Sequence, residues 1–110
     1  MINKMDRLRI FGFEIQHSLM RSDSRRQLLL YMKRHSDKVL YKATIYSIAI
    51  DTGMSPANVR GAILGNGSGY NKSYSLVSLG LIGYDKRGRY TIYFLTSKGL
   101  EVAGLLEELA

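Results

Sequence analysis

The stretch TIYSIAIDTGMSPANVR, residues 44–60, carries most of the information about the fold. Thr44 is a preferred helix N-cap residue, and apolar residues at helical spacing follow it as far as Gly53, which suits the left-handed conformation at a helix C-terminus. Ser55 and Pro56 then start a second helix, because proline lacks the N–H that would be unpaired at that position. The stretch therefore predicts two helices joined by a tight turn.

We expect the second of these helices to run over residues 55–64, with one apolar and one polar side. Its inward stripe consists of Val59, Ala62 and Ile63. Its outward side consists of Pro56, Asn58, Arg60 and Gly61. The outward polar side chains are the ones that a binding partner can reach.

The chain before this stretch predicts two further helices. Residues 1–20 contain apolar residues at helical spacing, which favours a helix, although Gly12 interrupts the pattern and an extended segment over Arg9–Ile15 also fits it. We interpret residues 1–20 as an N-terminal extension, helix or arm, whose role stays open. A helix is predicted over residues 24–35, and Val39–Tyr41 is β-prone enough for a brief strand. The apolar residues of the N-terminal pattern are Leu8, Phe11, Ile15 and Leu19.

The chain after this stretch predicts a short helix, a β-hairpin and a last helix. Glycine-rich residues 65–69 end the helix over 55–64, and residues 72–79 predict a short helix that ends at Gly80. Leu81 and Ile82 open a strand, residues 85–89 form a turn, and Tyr90–Leu95 alternates as the returning strand. Thr96 caps a helix over residues 97–109 with two apolar faces. One face consists of Val102, Leu105, Leu106 and Leu109, and the other of Leu100 and Ala103.

Composition argues for one globular domain and against several kinds of chemistry. The chain has 110 residues, of which 45% are hydrophobic and 23% charged. It has no cysteine and two histidines, so we expect no disulfide, no metal site, no cofactor and no catalytic residues, and hence not an enzyme. No apolar run is long enough to span a membrane, and the charged first twenty residues are unlike a secretory signal. We therefore expect a cytoplasmic protein that does not associate with membranes.

The charge of the chain is high and uneven. The formal net charge is +7 and the isoelectric point is about 9.8. Residues 54–99 carry a net charge of +5, whereas residues 100–110 carry −3. A basic middle region with an acidic end predicts a polyanionic partner for one part of the surface.

Three stretches together resemble the winged-helix DNA-binding fold: residues 44–60, LVSLGLI at residues 76–82 and YFLTSKG at residues 93–99. The resemblance spans residues 24–110 and is strongest to small archaeal winged-helix transcriptional regulators, with a distant likeness to the MarR/ArsR group. It implies an α+β, mostly helical fold: a winged helix-turn-helix with a C-terminal β-hairpin wing and flanking N- and C-terminal helices. In one departure from the family pattern, residues 65–71 separate the recognition helix from the junction that normally follows it directly.

The resemblance implies a sequence-specific transcriptional regulator that binds double-stranded DNA. Its recognition helix 55–64 would enter the major groove, and its basic wing 85–89 would lie on the backbone or in the minor groove. Asn58 suits adenine and Arg60 suits guanine, while the glycine-rich segment is either a phosphate contact or a flexible connector. The predicted DNA-binding residues are Ser55, Asn58, Arg60, Tyr70, Lys72, Ser73, Lys86, Arg87 and Arg89.

We expect the regulator to be a homodimer. Residues 21–110 would form the winged-helix domain, and the helix over residues 97–109 would be the dimerisation helix because of its second apolar face. No small-molecule ligand is evident. The alternative interpretation is a winged-helix module that binds another protein within a larger complex.

Overall fold

The structure is a computed structural model that describes residues 4–36, 43–65 and 71–109. Its fold is α+β, mostly helical and winged-helix-like, with a two-stranded antiparallel hairpin between the last two α-helices. This confirms the predicted fold class. The helices are a 3-10 helix Lys4–Phe11, α1 (Phe13–Arg21), α2 (Asp23–His35), α3 (Ile45–Thr52), α4 (Pro56–Leu64), a 3-10 helix Lys72–Tyr74 and α5 (Ser97–Leu109), and the strands are β1 (Ile82–Arg87) and β2 (Tyr90–Leu95).

The predicted pair of helices, α3 and α4, is built by the predicted caps. Thr44 Oγ1 accepts a hydrogen bond from the Ser47 N–H at 3.1 Å, and Ser47 Oγ accepts one from the Thr44 N–H at 2.9 Å. This reciprocal pairing satisfies two donors at the start of α3. Gly53 ends α3 with a φ of +76°, and Ser55 Oγ then accepts from the Asn58 N–H at 3.1 Å to start α4. The turn between the helices is therefore determined locally.

The Ser55 cap provides a direct test of this local determination. We expect Ser55→Ala to lower the free energy of unfolding by about 1 kcal/mol, because the Asn58 N–H loses its acceptor. Ser97→Ala is the matched control, since the exposed Ser97 takes part in no side-chain hydrogen bond among the described residues. Urea unfolding followed by circular dichroism measures both variants. Equal stability of the two variants would contradict the capping role.

The core is one cluster of buried side chains from α1 to α5, both strands and the N-terminal 3-10 helix. Val59, Ala62 and Ile63 are fully buried, which confirms the predicted inward stripe of α4. Gly61 was expected on the outward side but is also buried. This prediction is wrong because the buried side of α4 includes Gly61 as well as the apolar residues Val59, Ala62 and Ile63. The N-terminal residues that share the core are Leu8, Ile15 and Leu19.

The predicted helix over residues 72–79 is replaced by a short 3-10 helix and a turn. Ser75 adopts an extended backbone with a ψ of +153°, which ends the 3-10 helix after Tyr74. The next two backbone N–H groups pair with α4: Leu76 N donates to Ala62 O and Val77 N to Ile63 O, both at 3.0 Å. These bonds satisfy carbonyls at the C-terminus of α4 that have no partner within the helix. Tertiary hydrogen bonding thus outweighs the helical spacing of this segment.

The wing is longer and its turn tighter than expected. β1 and β2 pair from Ile82 opposite Leu95 to Arg87 opposite Tyr90. The turn therefore has only two residues, Gly88 and Arg89, and Gly88 has a φ of +63°. Glycine in the first position of a two-residue hairpin turn allows the strands to pair up to the turn. The expected turn over residues 85–89 is wrong, because residues 85–87 belong to β1.

A backbone bridge connects the hairpin to the chain before α3. Ala43 pairs with Tyr93 in antiparallel fashion, and the Tyr93 N–H donates to Ala43 O at 2.7 Å. The predicted brief strand Val39–Tyr41 lies outside the described residues. The bridge holds β2 beside the start of the helix pair.

The last helix buries most of both predicted apolar faces in its own chain. Thr96 Oγ1 accepts from the Gly99 N–H at 2.9 Å, which confirms the predicted cap. Val102, Ala103 and Leu106 are all buried, so Ala103 belongs to the core and not to a second face. That second face consists of Leu100, which is exposed. In the part of the chain that the structure describes, no helix has the length and apolar character to cross a membrane.

Candidate nucleic-acid interface

The N-terminal turn of α4 is open to solvent. Ser55, Pro56, Ala57 and Asn58 are all exposed. The Asn58 side chain takes part in no hydrogen bond among the described residues, so its amide can both donate and accept toward a partner. The unpaired N–H groups of a helix start also carry a partial positive charge. This turn presents polar groups suited to a nucleic acid.

Arg60 is half-buried. Burial raises the pKa of the Tyr93 hydroxyl above its usual value, while the positive charge of Arg60 lowers it in part. Arg60 was expected to face outward with Asn58, and it is half-buried where Asn58 is exposed.

A cleft of about 410 Å3 separates the C-terminal end of α4 from one face of the hairpin. We call it the α4–hairpin cleft. Lys72 reaches it from the turn after α4, and Lys86 reaches it from β1. The fold therefore brings together two of the predicted DNA-binding lysines that lie on different elements. The cleft is lined by Leu64, Lys72, Ser75, Val77, Ser78, Tyr84, Lys86, Thr91 and Tyr93.

The strand pairing divides the basic residues of the wing between its two faces. Successive strand residues point to opposite faces, so Lys86 lies on the cleft side and Arg87 on the other. Arg87 Nε is 2.7 Å from Asp85 Oδ2, an ion pair that offsets the charge of the arginine. Arg89 is exposed at the turn. Lys86 and Arg89 are thus better placed than Arg87 for a shared partner.

Four cations on α4, the segment after it and the hairpin have no anionic partner among the described residues. Arg60, Lys72, Lys86 and Arg89 take part in none of the ion pairs found among residues 4–36, 43–65 and 71–109. Other basic residues are neutralised on the far elements: Lys33 pairs with an acidic residue of α5 at 2.9 Å. α4, the segment after it and the hairpin thus carry four cations whose charge no described ion pair offsets.

Two further predicted DNA-binding residues, Ser73 and Tyr70, have different outcomes. Ser73 is exposed beside Lys72, whereas Tyr70 lies outside the described residues. Tyr84 and Thr91 are two of the cleft residues that sequence reasoning missed. The signal that identifies them is the two-residue period of a strand: Tyr84 shares a face with Lys86, and Thr91 is the register partner of Lys86.

Metal-ion chemistry finds no support in the described part of the chain. No group of three or more His, Cys, Asp or Glu side chains there is arranged to hold a metal ion.

Comparison with known proteins adds two findings. A family model described as EarA-like matches residues 15–106, a range that includes α4 and the whole hairpin. A protein of Methanocaldococcus jannaschii, named uncharacterized protein MJ0905, is 31% identical over 96 residues, which cover 86% of this chain and 82% of that protein. The chain is thus similar to a protein of an archaeon over nearly its whole length.

Proposed function

The chain belongs to the EarA-like family, and from that premise we propose that it is a transcriptional regulator that binds double-stranded DNA in a sequence-specific way. The observation that carries the proposal is the group of four cations on α4, the segment after it and the hairpin that take part in no ion pair among the described residues. Positive charge placed next to a helix that fits the major groove is the arrangement that duplex DNA requires. Membership of a winged-helix-like family of DNA-binding proteins supports the same reading. The protein acts by binding, without catalysis.

In this proposal α4 reads base edges. Its N-terminal turn enters the major groove, where the Asn58 amide pairs with N6 and N7 of adenine. Ser55 remains a capping residue, and its hydroxyl proton is still available to a phosphate oxygen. The helix start favours the same negatively charged backbone. Sequence information therefore comes from one short helix.

The cleft and the wing tip hold the DNA backbone. Lys72 and Ser73 contact a phosphate from the turn after α4, and Lys86 contacts one from the cleft face of β1. Arg89 reaches the next phosphate or the minor groove from the hairpin turn. Arg87 contributes less, because an ion pair with Asp85 already occupies its guanidinium. These contacts position the protein without reading sequence.

Arg60 has the most informative single substitution. We expect Arg60→Ala to weaken binding to the preferred duplex by about 1–3 kcal/mol if the guanidinium pairs with guanine. Arg9→Ala is the control, since Arg9 is exposed on the N-terminal 3-10 helix and takes part in no described ion pair. Fluorescence anisotropy on the preferred duplex and on a random duplex separates two roles. An equal loss on both duplexes would make Arg60 a phosphate contact instead.

We further propose that the protein acts as a homodimer on two half-sites about one helical turn apart. The buried Ala103 leaves Leu100 as the exposed apolar residue of α5, so α5 offers a small interface. Ile10 and Phe13 of the N-terminal segment are more exposed and offer further apolar surface for such an interface. Multi-angle light scattering at micromolar concentration tests this part. The mass of a single chain would refute the dimer.

The second candidate function is a winged-helix module that binds a protein. The observation that favours it is the exposed apolar pair Tyr46 and Ile50, which lie one turn apart on α3. Such a module needs no uncompensated cations on its wing. Binding to duplex DNA therefore decides between the two functions.

A salt titration of duplex binding provides that decision. Three phosphate contacts per protomer, by Lys72, Lys86 and Arg89, predict that the logarithm of affinity falls with the logarithm of salt concentration with a slope of about −2.7 per protomer. The duplex is first chosen by selection from random sequences, and a palindromic product would also reveal two-fold symmetry. Absence of binding to any duplex at low salt would favour the protein-binding module.

A further inference from the structure

The α4–hairpin cleft is large enough to hold a small molecule. Its volume of about 410 Å3 falls within the range of small-molecule sites. Apolar and aromatic residues line the cleft. Leu64 and Val77 are half-buried, and Tyr93 is buried. Tyr84 is exposed across the strand pair from Tyr93. These walls suit an apolar or aromatic body.

The polar groups of the cleft favour an anion. Lys72 and Lys86 line it, and neither takes part in an ion pair among the described residues. None of the described residues that line the cleft is acidic. The Ser75 hydroxyl donates to Ser78 Oγ at 2.9 Å, which leaves the Ser78 hydroxyl proton free to donate into the cleft.

The backbone around the cleft does not oppose an anion. The C-terminal carbonyls of a helix normally repel negative charge. Here the Ala62 and Ile63 carbonyls accept hydrogen bonds from the backbone of residues 76 and 77. The nearest acceptors at the end of α4 are thus already paired.

We propose that the α4–hairpin cleft binds a small organic anion with an apolar body, such as an aromatic carboxylate, and that the bound anion weakens duplex binding. The second half of the proposal rests on the proposed function. Lys86 serves both ligands, so an anion that neutralises it in the cleft removes one phosphate contact. This differs from the sequence-based expectation, which included no small-molecule ligand.

Three probes test the site by ¹⁵N nuclear magnetic resonance. Phenylacetate has both a negative charge and an aromatic ring. Phenylacetamide lacks the charge, and acetate lacks the ring. We expect phenylacetate at millimolar concentration to shift the amides of Val77, Ser78 and Thr91 in a saturable way, with the other two probes binding several-fold more weakly. Equal weak effects of all three probes, or no saturable shift in the cleft, would overturn the proposal.

Variants separate specific from general binding. We expect Lys72→Gln and Lys86→Gln each to weaken phenylacetate binding about three- to tenfold. Lys98→Gln should leave it unchanged, because Lys98 is exposed on α5 and does not line the cleft. Ser78→Trp fills the cleft and should abolish binding while the chain stays folded by circular dichroism. Unchanged binding in both cleft lysine variants would also overturn the proposal.

Duplex binding is measured in the same samples, with sodium chloride at matched ionic strength as the control. We expect saturating phenylacetate to lower duplex affinity in the natural sequence about threefold to tenfold, but not in Ser78→Trp. If phenylacetate binds and duplex affinity is unchanged, the regulatory half of the proposal fails. If no duplex binds at all, the proposed function fails while the cleft site stands on the spectra alone.

Discussion

Gly99→Ala is expected to lower the free energy of unfolding by about 2–4 kcal/mol. A β-carbon at Gly99 would lie 2.0 Å from the Leu81 carbonyl oxygen and 2.9 Å from its carbon. The obstacle is backbone, and the same carbonyl accepts a hydrogen bond from the Thr96 N–H at 3.1 Å. The substitution therefore has to move the first turn of α5 away from the start of the hairpin.

Gly104→Ala is the matched control on the same helix. A β-carbon at Gly104 would meet nothing within 4 Å. Alanine is favoured over glycine inside a helix, so we expect this variant to be more stable by about 0.5–1 kcal/mol. Thermal unfolding measures both changes. An unchanged stability of Gly99→Ala would contradict the close approach of α5 to Leu81, and with it the position of the hairpin relative to α5.

The double charge reversal Lys86→Glu/Arg89→Glu is expected to lower duplex affinity at least about a hundredfold. It removes two phosphate contacts and places two carboxylates against the DNA backbone. Both residues are exposed and neither has an anionic partner among the described residues. The loss should be the same on preferred and random duplexes, because phosphate contacts carry no sequence information.

The control for this variant changes the net charge equally at another place. Arg9→Glu/Lys98→Glu also reverses two exposed cations, on the N-terminal 3-10 helix and on α5. We expect a loss of less than about tenfold, since only the long-range field changes. Anisotropy titrations at fixed salt compare the two variants. Equal losses would mean that net charge, and not the wing, attracts the DNA.

The helix pair and the hairpin could be predicted because their signals are local. Thr44 and Ser55 carry their capping acceptors in their own side chains, and Gly53 adopts the φ that a helix end requires. The order of these elements then leads to the winged-helix-like fold. Such features depend on a few neighbouring residues and need no knowledge of the tertiary structure.

The segment after α4 could not be predicted, because its structure depends on α4 itself. Leu76 and Val77 have helical spacing, yet their N–H groups pair with the Ala62 and Ile63 carbonyls. The length of the wing turn was missed for a related reason. The two strands pair as far as Arg87, because Gly88 adopts the positive φ that a two-residue turn needs. In both cases hydrogen bonds between segments determine the result.

The candidate site could be predicted only residue by residue. Lys72 and Lys86 were both selected for their charge, but their shared cleft depends on the path of the turn and on the strand register. Arg60 was expected to face outward like Asn58, whereas it is half-buried. Sequence patterns indicate which side chains are basic. The fold determines which of them lie together.

Amide chemical shifts of the ¹⁵N-labelled protein titrated with its selected duplex test the central claim most directly. We expect the largest changes at the N-terminal turn of α4, at Lys72 and Ser73, and from Lys86 to Arg89, with α5 nearly unaffected. Changes confined to the exposed apolar residues of α3 and the N-terminal segment, or no changes at all, would contradict DNA binding by α4 and the wing.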